Sequence, residues 1–252
     1  VSGGLRGLSA VTLVFATACA IDGRAVTVDG GVPIVPTRAC QGIAVQQDLI
    51  TDFSDAVPAT DLDGNPGILY GLGPVQRGGT AVVFAAPGLR LPQLSLEPHG
   101  SDQALRIEAN PGMPVGDNYY LGFALGFGRD AEICVDATGY RGVSFTLDGT
   151  VGSCLLMFQV LVSQDFRVGP HDPAGVCTLG ELCVPPYSRP LAVNGPATYA
   201  IPFADLVNAG NPVAAIDPQT IRSIVNVGWK LFALGGTPCQ ASLLLDDVAF
   251  FR

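Results

Sequence analysis

The residues best placed to do chemistry in this sequence are the acidic pair Asp246 and Asp247, set in the otherwise apolar run SLLLDDVAFF at 242–251. Read as an extended strand, Leu243, Leu245, Asp247 and Ala249 face one way and Leu244, Asp246, Val248 and Phe250 the other. An ionised carboxylate in so apolar a segment needs a partner when buried, and a bound cation is the expected partner for one of the two. Other chemistries find less support. A glycosidase needs two carboxylates facing each other across a cleft. Glu97, Glu108, Glu132 and Glu181 each fall beside a turn or strand end, and the Asp residues fall mainly in turns. The two histidines, His99 and His171, lie in the loops EPHGSD and GPHDPAG, and no G-x-S-x-G motif positions a serine for them. Asp61, Asp63 and Asn65 look like part of a calcium loop. Gly64 is misplaced for an EF-hand, however, and no Glu follows at the needed distance, so the segment reads as a turn. No Walker or Rossmann glycine pattern opens a helix, which leaves nucleotide binding without support.

The elements that must position these residues are strands. The chain has 252 residues with 48% hydrophobic content, enough for one large core, and its 32 Gly and 20 Pro imply frequent turns. Apolar segments at 49–55, 81–85, 104–109, 119–127, 142–147, 154–162, 197–202, 221–232 and 242–251 are separated by Gly, Pro, Asn and Asp, which gives about nine strands. Helical candidates are short: 203–208, and 217–221 with Asp217 as N-cap and Pro218 behind it. Many strands with almost no helix define an all-β domain, a sandwich or barrel. Segments 119–127 (YYLGFALGF) and 154–162 (CLLMFQVLV) are apolar on both sides. They are expected to be central strands, with one face in the core and the other lining a cleft or lying under loops. The net charge of -9, with no Lys/Arg cluster and Lys230 as the only lysine, argues against a nucleic-acid partner.

The first residues carry one basic group, Arg6, and then an apolar run from Leu8 to Ala16 that is short for a membrane span. A cleaved secretory signal over 1–18 is the expected reading. Ala16-Thr17-Ala18-Cys19 resembles the bacterial lipoprotein box, in which the Cys is lipidated and becomes the new N-terminus. The other reading is an ordinary signal with small residues at Ala16 and Ala18 and an incidental Cys19. Residues 19–48 then form a tether, and the membrane is reached only through the lipid. The place is the bacterial cell envelope, or the medium if Cys19 is unmodified. Six further cysteines in an exported chain suggest three disulfides with 15 possible connectivities. Cys177 with Cys183 closes a short loop, Cys134 with Cys154 would join neighbouring strands, and Cys40 with Cys239 is what remains. Neither His lies near a C-x-x-C, so zinc is poorly supported.

Taken in order, DFSD at 52–55, LRIEA at 105–109, CVDATGYRGVSFTLDG at 134–149, SCLLMFQV at 153–160, YAIPFADL at 199–206, IVNVGWKLF at 224–232 and LLLDDVAFF at 243–251 form a recognisable series. It resembles the galactose-binding-like jelly roll of carbohydrate-binding modules, closest to the family-11 modules and the complex-I intermediate-associated family. Asp136, Tyr140, Gly142, Val143 and Phe145 fill the D-x-x-x-Y-x-G-[IV]-x-F strand of those families, and Asp247, Val248 and Phe250 the closing one. The resemblance spans 49–252 and implies a β-sandwich jelly roll. It also implies a structural calcium ion near the first and last strands, with Asp52 or Asp55 and Asp247 at the matching positions. The function it implies is non-catalytic carbohydrate or glycan binding, in which rings stack on sugar faces and amides fix orientation. Candidates are Tyr119, Tyr120, Gln159, Asn226, Trp229 and Lys230. Asn226 and Lys230 share one strand face and Trp229 takes the other, so if the polar pair points into the cleft, Trp229 belongs to the core. The alternative function is an envelope lipoprotein that uses the jelly roll as a protein-contact scaffold, since one fold hosts many activities.

Overall fold

The computed structural model describes residues 42–60, 64–71, 73–110, 120–128, 133–165, 186–208, 211–233 and 238–252. In chain order the strands are β1 (Ile43–Ala44), β2 (Leu49–Thr51), β3 (Val57–Thr60), β4 (Pro66–Tyr70), β5 (Gly79–Ala85), β6 (Gln93–His99), β7 (Asp102–Ala109), β8 (Tyr120–Phe127) and β9 (Val135–Asp136). They continue with β10 (Gly142–Thr150), β11 (Cys154–Val162), β12 (Tyr187–Leu191), β13 (Ala197–Pro202), β14 (Val207–Asn208), β15 (Asn211–Ala215), β16 (Ile224–Ala233) and β17 (Ala241–Phe251). Helical structure among the described residues is confined to single 3-10 turns at Ser163–Asp165, Phe203–Asp205 and Thr220–Ser223. The last is held at its entry by Asp217, whose Oδ1 accepts from the backbone N–H groups of Gln219 and Thr220 at 2.6 and 2.9 Å.

The strands form two sheets of eleven and six strands. The larger runs β15-β14-β12-β11-β16-β8-β5-β4-β3, and the smaller runs β13-β10-β17-β7-β6 with β2 added beside β17. Each expected segment holds a strand, though β2 stops at Thr51 and β16 begins only at Ile224, after a 3-10 turn, and the architecture is a β-sandwich jelly roll. Strands that sequence reading passed over include β3, β4, β6 and β12, each of which contains a proline. Proline lacks the N–H that a ladder needs. Here β3 and β6 lie on sheet edges, Pro66 opens its strand, and Pro190 in β12 lies beyond the two residues that β14 pairs with.

The two ends of the folded unit meet where β2 pairs with β17, Thr51 opposite Val248. β17 does not alternate simply. Leu243 and Leu245 are buried, and so are Val248 and Phe250, so the inward parity changes between them. The change is made by a bulge: Thr146 faces Asp246 and Ser144 faces Ala249, leaving Asp247 and Val248 opposite Phe145. Asp247 adopts φ +50°, a left-handed conformation that Asp tolerates better than a branched residue does. The strict alternation expected for this strand is therefore corrected, because the extra residue keeps both apolar pairs in the core.

The core between the sheets centres on Trp229, fully buried. It stacks on Phe123 with centroids 5.1 Å apart and meets Phe145 and Phe158 edge-on at 5.1 and 5.5 Å. Tyr140 packs on Phe250 at 5.5 Å and donates to Asp48 at 2.7 Å. Between Tyr140 and Phe145, Gly142 sits where a Cβ would run into the Ile201 carbonyl and come within 2.7 Å of the Phe251 ring. Gly142→Ala is expected to cost about 2–3 kcal/mol, in the range for overpacking a tight site. Urea unfolding checks this, and an unchanged midpoint would refute it.

Cys154 and Cys239 form a disulfide with Cα atoms 5.2 Å apart. This corrects the expected pairings of Cys134 with Cys154 and of Cys40 with Cys239. Cys154 lies opposite Ala233 on β16, whereas Val135, next to Cys134, lies opposite Ile224. Nine residues of β16 separate those rows, roughly 30 Å at strand rise, so Cys134 is at the far end of the sheet. Cys134 is itself disulfide-bonded, to a cysteine outside the described residues. Cys19, Cys40, Cys177 and Cys183 lie outside them as well.

Candidate functional site

The inward set of the larger sheet is Leu121, Phe123, Leu125 and Phe127 on β8, Leu156, Phe158 and Val160 on β11, and Val227, Trp229 and Leu231 on β16. The residues between them form the outer face, and the ladder register arranges them in rows across the strands. One row runs Ser188, Gln159, Gly228, Ala124, Val82, and the next Leu161, Asn226, Gly126, Thr80, Leu69. Two further rows place Met157, Lys230, Gly122 and Phe84 side by side, then Leu155, Phe232 and Tyr120.

These rows give the face two kinds of ground. One end carries rings: Tyr120 lies 6.5 Å from Phe84 and 6.4 Å from Phe232, centroid to centroid. The Lys230 ammonium sits 3.7 Å from the Tyr120 ring centre and 5.0 Å from that of Phe232, a cation–π arrangement that fixes the rings and the charge together. All four side chains are half-buried. The other end is polar over a floor of small residues: Gln159, Asn226, Thr80 and Ser188 are buried, between Gly228, Ala124 and Gly126. The Gln159 amide nitrogen lies only 3.2 Å from where a Cβ on Gly228 would be, so the amide rests over that glycine. Asn226 Oδ1 is buried and has no hydrogen-bond partner.

Of the residues expected from sequence, Tyr120, Gln159, Asn226 and Lys230 therefore share this face. Trp229 does not: β16 alternates, so with Asn226 and Lys230 outward its ring goes to the core, which corrects its place among the ligand candidates. Tyr119 lies outside the described residues. Phe84, Phe232, Ser188 and Thr80 were missed. Phe84 alternates with the core residues Ala81 and Val83, but only the β5–β8–β16 order sets it beside Tyr120.

None of the nine strands in the larger sheet's path contains an Asp or Glu. The acidic pair of β17 belongs to the smaller sheet, and its two members differ in surroundings. Asp246 is the buried one. Its Oδ2 lies 2.9 Å from His99 Nδ1 and its Oδ1 accepts the Asp247 N–H at 2.8 Å. Asp247 is exposed; partial burial pushes its carboxyl up, and the nearby charges of Asp246 and Asp52 add to this while His99 opposes it. Asp52 accepts from the Ser54 hydroxyl at 2.7 Å, which holds its carboxyl below the ordinary range, and Asp55 accepts from Gly71 N at 2.9 Å. Among the described residues no three His, Cys, Asp or Glu side chains gather as a metal site. Asp52, Asp55 and Asp247 are the positions at which the family resemblance implied calcium, and Asp52 lies close enough to Asp247 for its charge to push that carboxyl up.

The sandwich is the fold of jelly-roll carbohydrate-binding modules. The chain is similar to the family 11 carbohydrate-binding module of a cellulosomal cellulase of Clostridium thermocellum, with TM-score 0.50 and 10% identity over 83% of this chain and 96% of that one. A family 11 module of the same organism in complex with a β-1,3-1,4-mixed-linked tetrasaccharide gives TM-score 0.46 at 11% identity over 78% and 95%. A family 28 module specific for non-crystalline cellulose gives 0.33 at 13% over 88% and 100%. No protein-family model and no curated protein sequence matches the chain.

Proposed function

We propose that this protein binds carbohydrate without catalysis, through the outer face of its larger sheet. The observation that carries the reading is the pairing on one face of a ring cluster, Phe84, Tyr120 and Phe232, with the amides of Gln159 and Asn226. Rings offer apolar platforms to the C–H faces of sugars, and amides both donate and accept toward hydroxyls. Hydrolysis would need two facing carboxylates, and the strands of this face supply none. The shared fold with a family 11 carbohydrate-binding module agrees with this reading.

A glycan array followed by calorimetry on the purified chain tests it. At least one glycan is expected to bind, with Tyr120→Ala weakening it roughly tenfold through loss of a stacking surface; silence across the array would end the proposal. A second reading, a protein-contact scaffold, is favoured by Val57 and Val207, which are exposed by 53% and 36% on this same face. It predicts that an envelope protein competes with the glycan or replaces it. Export with lipidation at Cys19 belongs to the proposal too. The disulfide Cys154–Cys239 suits an oxidising compartment, and the mass of the mature N-terminal peptide decides whether Cys19 is acylated.

A further inference from the structure

We infer that Asn226 is a specificity-determining residue of the binding face, its side-chain oxygen held without a protein partner so that a ligand hydroxyl can donate to it. The inference rests on the binding reading above and deepens it. Asn226 is only 8% exposed, and its Oδ1 is closed off with no hydrogen bond. The ladder explains why. Its cross-strand neighbours are Gly126 on β8, which has no side chain, and Leu161 on β11, which has no polar atom. A buried acceptor left unmade costs stability, whereas an apolar side chain of the same size would remove that cost. A strand of core-type residues that keeps an amide here bears the penalty in the free protein, and a donor arriving from outside relieves it.

The chemistry follows from the atom. A carbonyl oxygen only accepts, so the group it selects is an O–H and not an ether or carbonyl oxygen. Gly126 puts no side chain beside the amide on the β8 side, and Gln159, one row away and equally on the outer face, is the second amide for the same ligand. A site built around such a bond discriminates strongly against analogues that lack the hydroxyl, because their binding leaves the acceptor still unpaired.

The test compares the wild-type chain with Asn226→Leu and, should that variant fold poorly, Asn226→Ala. The probes are β-linked linear tetrasaccharides of glucose, xylose, mannose and galactose, each with its per-O-methylated form. The inference expects wild type to bind at least one free tetrasaccharide and to reject its methylated form. It expects the variant to bind at least tenfold more weakly and to have lost that preference. The melting temperature of the Leu variant without ligand should be equal to or above wild type, which a structural role for Asn226 would not give. Variant binding within twofold of wild type, or a fall in melting temperature with binding retained, overturns the inference and leaves the binding face standing. Wild type that binds none of the free probes or any array glycan overturns both.

Discussion

Replacing Cys154 and Cys239 together by Ala is expected to lower stability by roughly 4–5 kcal/mol. The bridge closes a sequence separation of 85 residues, and the chain-entropy estimate for loops of that size falls in this range. Its position suits the magnitude. Cys154 opens β11 in the middle of the larger sheet, and Cys239 stands two residues before β17, the longest strand of the smaller sheet. The bridge therefore joins the central strands of both layers in the unfolded chain, shrinking the ensemble that folding must compete with. Both half-cystines are buried, at 8% and 2%, so the double variant also loses some packing. Guanidinium unfolding of the double variant against wild type measures the loss. A difference under 1 kcal/mol would show that the layers are held without the bridge.

The second large effect comes from a single buried carboxyl. Asp165 ends the 3-10 turn after β11; its Oδ2 accepts the Val162 N–H at 2.7 Å, while its Oδ1 is shut away with no partner. Burial pushes its carboxyl from 3.8 up to about 8, and the Val162 bond opposes this only partly. The nearby Tyr187 hydroxyl is raised as well, by burial first and by the Asp165 and Asp217 charges in addition. With the folded value above the unfolded one, the folded state holds a proton that the unfolded chain has released. Stability is therefore full below about pH 4 and is lost as pH rises toward 8. The gap between 3.8 and about 8, at about 1.4 kcal/mol per pH unit, sets a ceiling of roughly 6 kcal/mol. Relaxation and water entry reduce what buried charges cost in practice, and a gain of about 2–3 kcal/mol is expected for Asp165→Asn at pH 8. The amide keeps an oxygen for Val162 and carries no charge. Urea unfolding of both proteins at pH 4, 6 and 8 should show curves that coincide at low pH and separate as it rises. A constant gap would mean that the carboxyl does not titrate in this window.

Much of the fold was legible because a strand announces itself locally. The alternation of Val143, Phe145 and Leu147 with Ser144 and Thr146 survives as buried and half-buried positions on β10. The two-sided apolar runs at 119–127 and 154–162 supply β8 and β11 in the interior of the larger sheet, as their composition required. Strands such as β6 and β12 escaped because proline and charge mask the period, and a proline is acceptable only where the missing neighbour is known. The binding candidates divide in the same way. Sequence alone showed that Asn226 and Lys230 must share a side and Trp229 take the other; which side faced the core depended on the partner sheet.

From composition and spacing alone came the all-β class and the approximate strand set, and the family resemblance added the closeness of the first and last strands. The class and the strand set depend on the period of two and on turn residues, which act over a few positions. Tertiary structure alone decided that Phe84, Tyr120 and Phe232 from three separated strands form one ring cluster, that Cys154 bonds Cys239, and that Asp246 turns to His99 while Asp247 absorbs a bulge. Each is a lateral relation between strands far apart in the chain. Such relations are set by which apolar faces must close over one another, and no local pattern encodes them.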